Sequence, residues 1–147
     1  MSLASLINSP LMRPRLRILI VDDHPIVRRN LCSLLGAESD FDVVCDVADG
    51  LQAVAKAAEL QPDVVVLDIT MPNLDGFGAA RRIRRVAPGA EILFLSQLDT
   101  TETIRQAFSS GGRGYVVKSD AAKELVEAVR AVSEKRRYLN ARFVAHL

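Results

Sequence analysis

Short runs of apolar, largely β-branched residues alternate with segments of helical periodicity from residue 16 onward, and this alternation leaves few folds open to the chain. It is typical of a parallel sheet that is covered by helices on both faces. Five strand-and-helix units fit the sequence. We therefore predict an α/β fold whose five strands lie near 16–21, 42–48, 63–67, 91–95 and 114–117.

Helix boundaries follow from residues with special backbone or capping chemistry. Pro25 suits the first position of the first helix because its φ angle is already near the helical value. The second helix is expected near 50–60, and Pro88 with Gly89 should end the third. Asp99 is predicted to cap the fourth helix and Ser119 the fifth, since both side chains can accept a hydrogen bond from a free backbone N–H.

Composition indicates an ordinary globular protein. Of 147 residues, 49% are apolar and 25% charged, which suits one domain with a proper core. The net charge of +1 provides no general attraction to nucleic acid or membrane, and no apolar window approaches the roughly 18 residues of a membrane span. Cys32 and Cys45 lack a metal-binding spacing and are interpreted as buried thiols. We therefore predict a cytoplasmic protein without a membrane partner.

Polar residues follow four of the five predicted strands at the point where each strand ends: Asp22, Asp23, Asp68, Ser96 and Lys118. Ligands of open α/β sheets bind outside the carboxyl ends of the strands, so these side chains should share one edge. Three neighbouring carboxylates repel one another unless a cation lies among them. A hard divalent ion such as Mg²⁺, with its preference for oxygen ligands, fits such a site, and a lysine and a hydroxyl suit a phosphate group.

Each of these residues also has an ordinary structural explanation. An Asp pair after a strand often begins a loop or caps a helix, and a single Ser or Lys at a strand end is common. Taken singly, the structural explanation is the better one for each residue. The coincidence at four strand ends, where α/β sites lie, favours a functional site. His24 follows the acidic pair, but a hard cation does not seek imidazole, so we interpret it as the start of the first helix.

Four segments together resemble the receiver domain of two-component response regulators. ILIVDDHPIVRRNL resembles the first strand and acidic pair of the family, and VVLDITMPNLDGF resembles its phosphoacceptor motif. ILFLS resembles the fourth strand with its hydroxyl residue, and GGRGYVVKSD the fifth strand with its aromatic residue and lysine. The sequence after the fifth strand is similar to that of the NarL/LuxR-type (FixJ-like) subgroup, whose receivers precede a helix-turn-helix DNA-binding domain. The resemblance implies a (βα)5 flavodoxin-like fold with strand order 2-1-3-4-5.

The resemblance also implies a metal site. Asp23 would hold Mg²⁺, or Mn²⁺, directly and Asp22 through water. The backbone carbonyl of Thr70 would be a further ligand, and Asp68 would contribute to the same site.

The resemblance further implies a phosphorylation switch. Asp68 would be the phosphoacceptor, while Ser96 and Lys118 would bind the phosphoryl oxygens. Tyr115 would be the aromatic residue whose rotamer follows Ser96, so that the face made by the fourth helix, fifth strand and fifth helix changes shape.

Partners and domain limits follow from the same resemblance. A histidine kinase would supply the phosphoryl group, a homodimer on phosphorylation is left open, and DNA would be reached only through an output domain that this chain does not contain. We expect a flexible leader over 1–14, the receiver domain over 15–137, and the start of a linker to a missing output domain over 138–147.

Two other functions remain as alternatives. A phosphatase resembling the haloacid dehalogenases also uses an Asp nucleophile, a Ser or Thr, a Lys and Mg²⁺. Such enzymes usually need an acid two residues after the nucleophile, where this chain has Thr70. A receiver-like interaction module that never meets phosphate would predict the loss of a site residue, and none is missing.

Overall fold

The computed structural model describes residues 2–3 and 14–144. The predicted leader over 1–14 therefore falls almost entirely outside the described residues. Six strands, numbered β1 to β6, are Leu16–Val21, Phe41–Val47, Val64–Leu67, Glu91–Ser96, Gly112–Val117 and Tyr138–Leu139.

Six α-helices connect or follow these strands. Numbered α1 to α6, they are Pro25–Gly36, Gly50–Leu60, Gly76–Val86, Thr101–Ser109, Ala121–Ser133 and Ala141–Val144, with a 3-10 turn at Lys118–Asp120. Within the described part of the chain, no helix has the length and apolar character that a membrane crossing requires.

The strands form one parallel sheet in the order β2-β1-β3-β4-β5-β6. This confirms the α/β fold and the predicted order 2-1-3-4-5. The sixth strand, beside β5, was not predicted, because two residues are too few to show a periodicity. It lies within the segment 138–147 that we expected to begin a linker.

Two apolar clusters cover the two faces of the sheet. One contains the small, buried residues of α2 and α3 together with Ile104 of α4, and the other contains α1 and α5. Short apolar strands such as β3, VVVL, are buried on both faces, as a central parallel strand must be. The helices thus cover both faces of the sheet, and polar side chains lie at the carboxyl ends of the central strands.

Two predicted helix caps are wrong. The helix α1 does begin at Pro25, as predicted, but α4 is capped by Thr100, whose side chain accepts a hydrogen bond from the Thr103 N–H. Asp99 lies one residue too early for this role. Ser119 lies inside the 3-10 turn that precedes α5, and Asp120 occupies the cap position without a side-chain hydrogen bond. Each predicted cap residue is next in sequence to the residue that occupies the cap position. The backbone path of the loop determines which of the two lies at the start of the helix.

Candidate functional site

The carboxyl ends of four adjacent strands bring together most of the predicted site residues. Asp22 follows β1, Asp68 follows β3, Ser96 ends β4 and Lys118 follows β5. Asp22, Asp68 and Ser96 are each at most 3% exposed, so these polar groups are buried and do not lie on an open surface.

The ammonium group of Lys118 joins two of these carboxylates. Its Nζ lies 2.8 Å from Asp22 Oδ2 and 3.2 Å from Asp68 Oδ2, although the two aspartates are far apart in sequence. Burial alone would lower the pKa of Lys118, but its hydrogen bond to Asp22 and the charges of both carboxylates raise the pKa overall. Lys118 therefore stays charged and offsets part of the repulsion between the two acids.

Asp68 has a strongly perturbed carboxyl group. One oxygen accepts the Ile69 N–H at 2.8 Å and the other accepts Lys118. Burial, reinforced by the charge of Asp22, raises the pKa of Asp68 to about 6 despite the opposing effect of Lys118. At neutral pH the carboxylate is thus mostly ionised but poorly solvated, a state that favours partners able to take up its charge.

A compact group of acids surrounds the same point. Ligand atoms of Asp22, Asp23, His24 and Asp68 all lie within 4.8 Å of one another. Asp23 Oδ1 is buried and accepts no hydrogen bond from any described residue, while Asp22 Oδ2 is buried against the Lys118 ammonium group. A buried carboxylate oxygen that has lost its water is stabilised by a cation, and the carboxylate-rich set suits a hard divalent ion.

His24 lies closer to the acids than the sequence suggested. It occupies the cap position of α1, as expected for the start of that helix, without a side-chain cap. Its Nδ1 is 3.3 Å from Asp22 Oδ1 and 3.0 Å from Asp23 Oδ1, while its side chain is 57% exposed. The imidazole therefore covers the outer side of the acidic group.

The loop after β3 is shaped by close backbone contacts. Thr70 is exposed in this loop, and Asn73 has a positive φ of 70°. The Gly76 N–H donates to the Ile69 carbonyl at 2.7 Å, and a Cβ on Gly76 would lie only 2.2 Å from the Asp68 carbonyl oxygen. A glycine is needed there so that the start of α3 can approach the backbone of Asp68.

Ser96 and Tyr115 are linked through one residue of the loop that joins β4 to α4. Ser96 Oγ accepts the Leu98 N–H at 3.1 Å, and the Tyr115 hydroxyl donates to the Leu98 carbonyl at 2.7 Å. Tyr115 is only 1% exposed, and burial is the main reason that its pKa rises to about 12. Its ring already points into the protein.

Arg28 is a residue of the site that sequence reasoning missed. Its Nη1 donates to the Asp22 carbonyl at 2.7 Å and its Nε to Asp46 Oδ1 at 3.0 Å. It thereby ties the backbone of the acidic pair to the end of β2. The sequence signal for this role was a basic residue in the first turn of α1, shortly after the acidic pair. An arginine on a helix is usually solvent-exposed, so this signal did not indicate a site residue.

Comparisons with known proteins agree with this geometry. The model of the response regulator receiver domain family matches residues 18–130. The response regulator protein VraR of Staphylococcus aureus is 36% identical over 118 residues, covering 80% of this chain and 56% of VraR. The chain thus spans little more than half the length of this curated relative.

Solved structures show the same likeness. A two-component response regulator of the LuxR family from Aurantimonas sp. SI85-9A1 superposes with a TM-score of 0.84 and 36% identity, covering 89% of this chain and 94% of that one. The signal receiver domain of a NarL response regulator from Mycobacterium tuberculosis has a TM-score of 0.81 and 29% identity, covering 84% and 100%. These likenesses support the NarL/LuxR-type subgroup. This chain belongs to the response regulator receiver domain family.

Proposed function

We propose that the chain is a Mg²⁺-dependent phosphoacceptor switch in which Asp68 takes the phosphoryl group. The observation that carries this proposal is the placement of Lys118 between the buried carboxylates of Asp22 and Asp68, beside a buried Asp23 oxygen that accepts no hydrogen bond from any described residue. A carboxylate, a fixed ammonium group and a cation-seeking cluster are what transfer of a phosphoryl group onto an aspartate requires.

The acidic residues would hold the metal. Asp23 would bind Mg²⁺ directly and Asp22 through water, while Asp68 and the carbonyl of Thr70 would complete the protein ligands. Mn²⁺ prefers the same oxygen donors and would serve in its place. When bound, the ion supplies positive charge that neutralises the phosphoryl oxygens.

Transfer of the phosphoryl group requires that Asp68 be aligned with the phosphorus atom more than it requires a stronger nucleophile. An Asp68 oxygen attacks phosphorus, the bond from phosphorus to the histidine nitrogen of a kinase breaks, and the departing histidine takes up a proton. Lys118 exchanges its contact with Asp68 for one with a phosphoryl oxygen, and charge neutralisation at the equatorial oxygens lowers the barrier. With a small donor such as acetyl phosphate, the P–O bond to acetate breaks instead.

The phosphoryl group then acts on the loop after β4. The Ser96 hydroxyl donates its hydrogen to a phosphoryl oxygen, so the loop that holds Leu98 is drawn towards Asp68. Because Tyr115 is bound to the carbonyl of Leu98, its inward position is favoured in the phosphorylated state. The face formed by α4, β5 and α5 is thus stabilised in one shape, which a partner can recognise.

The biological setting follows from the subgroup. The chain would act in the cytoplasm, where a histidine kinase would donate the phosphoryl group. A DNA-binding output domain joined after 138–147 would act on transcription, with the receiver over 15–137. Homodimerisation on phosphorylation would be one means of control. The output would be a change in binding and not a released product, and the chain would catalyse only its own phosphorylation and dephosphorylation.

Intact mass after incubation with acetyl phosphate and Mg²⁺ tests this proposal. We expect the wild type to gain one phosphoryl group, and Asp68→Asn, or wild type in EDTA, to gain none. Asp42→Asn is the matched control, because Asp42 lies opposite Arg17 at the start of the sheet, away from the site.

Two outcomes would favour the alternatives. If neither acetyl phosphate nor a kinase modifies the wild type, the phosphate-independent interaction module is the better description. Rapid multiple-turnover hydrolysis would instead favour a phosphatase, against which the family match and Thr70 in the position of the second acid both argue.

A further inference from the structure

The segment 138–144, which we name the C-terminal strap, docks on the edge of the sheet. Its strand β6 pairs with β5 in parallel, with Tyr138 opposite Gly114 and Leu139 opposite Tyr115. A Cβ on Gly114 would lie 2.8 Å from Leu93 Cδ1, 2.9 Å from Val132 Cγ1 and 3.3 Å from the Cβ of Tyr138, so a glycine leaves room for both side chains and for the strap. The first two residues of the strap therefore form an added strand with a defined register.

Polar anchors hold the strap on α5. The Tyr138 hydroxyl and the Asn140 amide donate to the two oxygens of Glu124, at 2.7 Å and 2.8 Å. Arg142 forms an ion pair with Asp120 just before α5. One carboxylate thus accepts two strap side chains, which is a specific arrangement and not a loose contact of a chain terminus.

The strap also covers the aromatic residue of the proposed switch. Tyr115 has Phe94 of β4 as its register partner on one side and Leu139 of the strap on the other. Leu139 and Phe143 pack against the apolar cluster that contains Tyr115. An outward rotation of the Tyr115 ring would therefore disturb the packing of the strap.

The opposite end of the strap lies beside the loop that Ser96 controls. Arg142 and Phe143 line an open cavity of about 430 Å³ together with Asp99, Thr100 and Thr101. These three residues follow Leu98, which is bound to both Ser96 and Tyr115. The strap thus pairs with Tyr115 and shares a cavity with the loop that follows Ser96.

We propose that the β5 edge, α5 and the β4–α4 loop form an interaction surface for the C-terminal strap, and that strap docking and phosphorylation of Asp68 strengthen each other. This inference rests on the proposed function. The docked strap holds Tyr115 inward, and the inward ring fixes the Leu98 carbonyl in the arrangement that phosphoryl binding by Ser96 favours. Because coupling between two sites is reciprocal, releasing the strap must weaken phosphoryl binding by the factor by which phosphoryl binding tightens the strap.

Amide hydrogen exchange in residues 138–144 tests whether phosphorylation of Asp68 strengthens docking of the strap. Beryllofluoride with Mg²⁺ serves as the probe, since it mimics an aspartyl phosphate without turnover. We expect exchange in the strap of the wild type to slow by at least about fivefold on addition of the probe, the lower end of usual coupling. Unchanged or faster exchange in a protein that binds the probe would overturn the inference.

Glu124→Ala tests whether releasing the strap weakens binding of the probe, with Lys123→Ala as the control on the exposed part of the same helix. We expect Glu124→Ala to raise exchange in the strap and to weaken beryllofluoride binding by the same factor by which the probe protects the strap, while Lys123→Ala changes neither. An undocked strap with unchanged probe affinity, or a strap that stays protected without Glu124, would contradict the coupling. Failure of the wild type to bind beryllofluoride at all would reject the proposed function itself.

Discussion

Arg28 and Asp22 are joined by a hydrogen bond from the guanidinium Nη1 to the backbone carbonyl, at 2.7 Å. The Asp22 N–H in turn donates to the Val47 carbonyl at 3.1 Å. The backbone of the first acidic residue is thus held from both sides, which leaves its side chain with a defined direction. Arg28 is a positioning residue for the proposed metal site, because it acts through Asp22.

Arg28→Met should weaken Mg²⁺ binding. The methionine retains much of the side-chain volume but removes both donors, so the loop that carries the acids gains freedom. We expect the dissociation constant for Mg²⁺ to rise about tenfold, a usual effect of losing a group that orients a ligand. A Mg²⁺ titration followed by NMR measures this, with Arg29→Met, an exposed neighbour, as the control. Equal affinities in the two variants, at similar stability in EDTA, would show that Arg28 has no such role.

Asp68→Asn should stabilise the metal-free protein in a pH-dependent way. The folded-state pKa of about 6 lies above the ordinary value of 3.8, so the native state binds more protons between these values and loses stability as the pH rises through them. Removing the charge should raise the free energy of unfolding by roughly 1–3 kcal/mol above pH 7, and by much less near pH 4.

Urea unfolding in EDTA at pH 7.5 and pH 4.5 measures this difference between wild type and Asp68→Asn. The same substitution at Asp42 controls for the chemical change. A stabilisation of equal size at both pH values would mean that ionisation of Asp68 is not its cause.

Lys118→Met should destabilise the protein without metal. The variant leaves Asp22 and Asp68 buried side by side with no ammonium group, and breaking a buried pair usually costs about 3 kcal/mol or more. Mg²⁺ should restore part of the loss, since it also neutralises the carboxylates. Thermal unfolding with and without Mg²⁺ tests both statements. Lys123→Met, at an exposed position of α5, is expected to stay within about 0.5 kcal/mol of wild type.

Gly76→Ala and Gly36→Ala should have opposite effects. The new methyl group at position 76 would meet the Asp68 carbonyl oxygen at 2.2 Å and the Ile69 Cα at 2.7 Å, so the backbone of the proposed phosphoacceptor must shift. We expect a loss of about 3 kcal/mol and a marked fall in phosphorylation by acetyl phosphate. At position 36, in the last turn of α1, a Cβ meets nothing within 4 Å, and a gain of about 0.5–1 kcal/mol is expected. Denaturant unfolding measures the free energy of unfolding of both variants. Similar free energies for the two would show that the close contacts of Gly76 do not determine the effect of the substitution.

The strands and the shared edge were predictable because their signals are local. The strands β3 and β4 are short runs that are buried from end to end, and a polar residue lies at the carboxyl end of each run. The parallel order of β1, β3, β4 and β5 then places Asp68 between Asp22 and Ser96. Sequence alone therefore predicted which residues lie at one edge of the sheet, although not how their side chains pair.

The tertiary structure decided which polar side chains pair, the raised pKa of Asp68 and the docking of the C-terminal strap. Lys118 reaches two carboxylates, Arg28 holds Asp22, and Tyr138 reaches Glu124, none of which has a periodic signature. The raised pKa of Asp68 depends on burial by neighbours from several strands. Patterns along a chain record which residues must leave water, whereas hydrogen bonds and electrostatic fields depend on distances that exist only after distant segments have packed together.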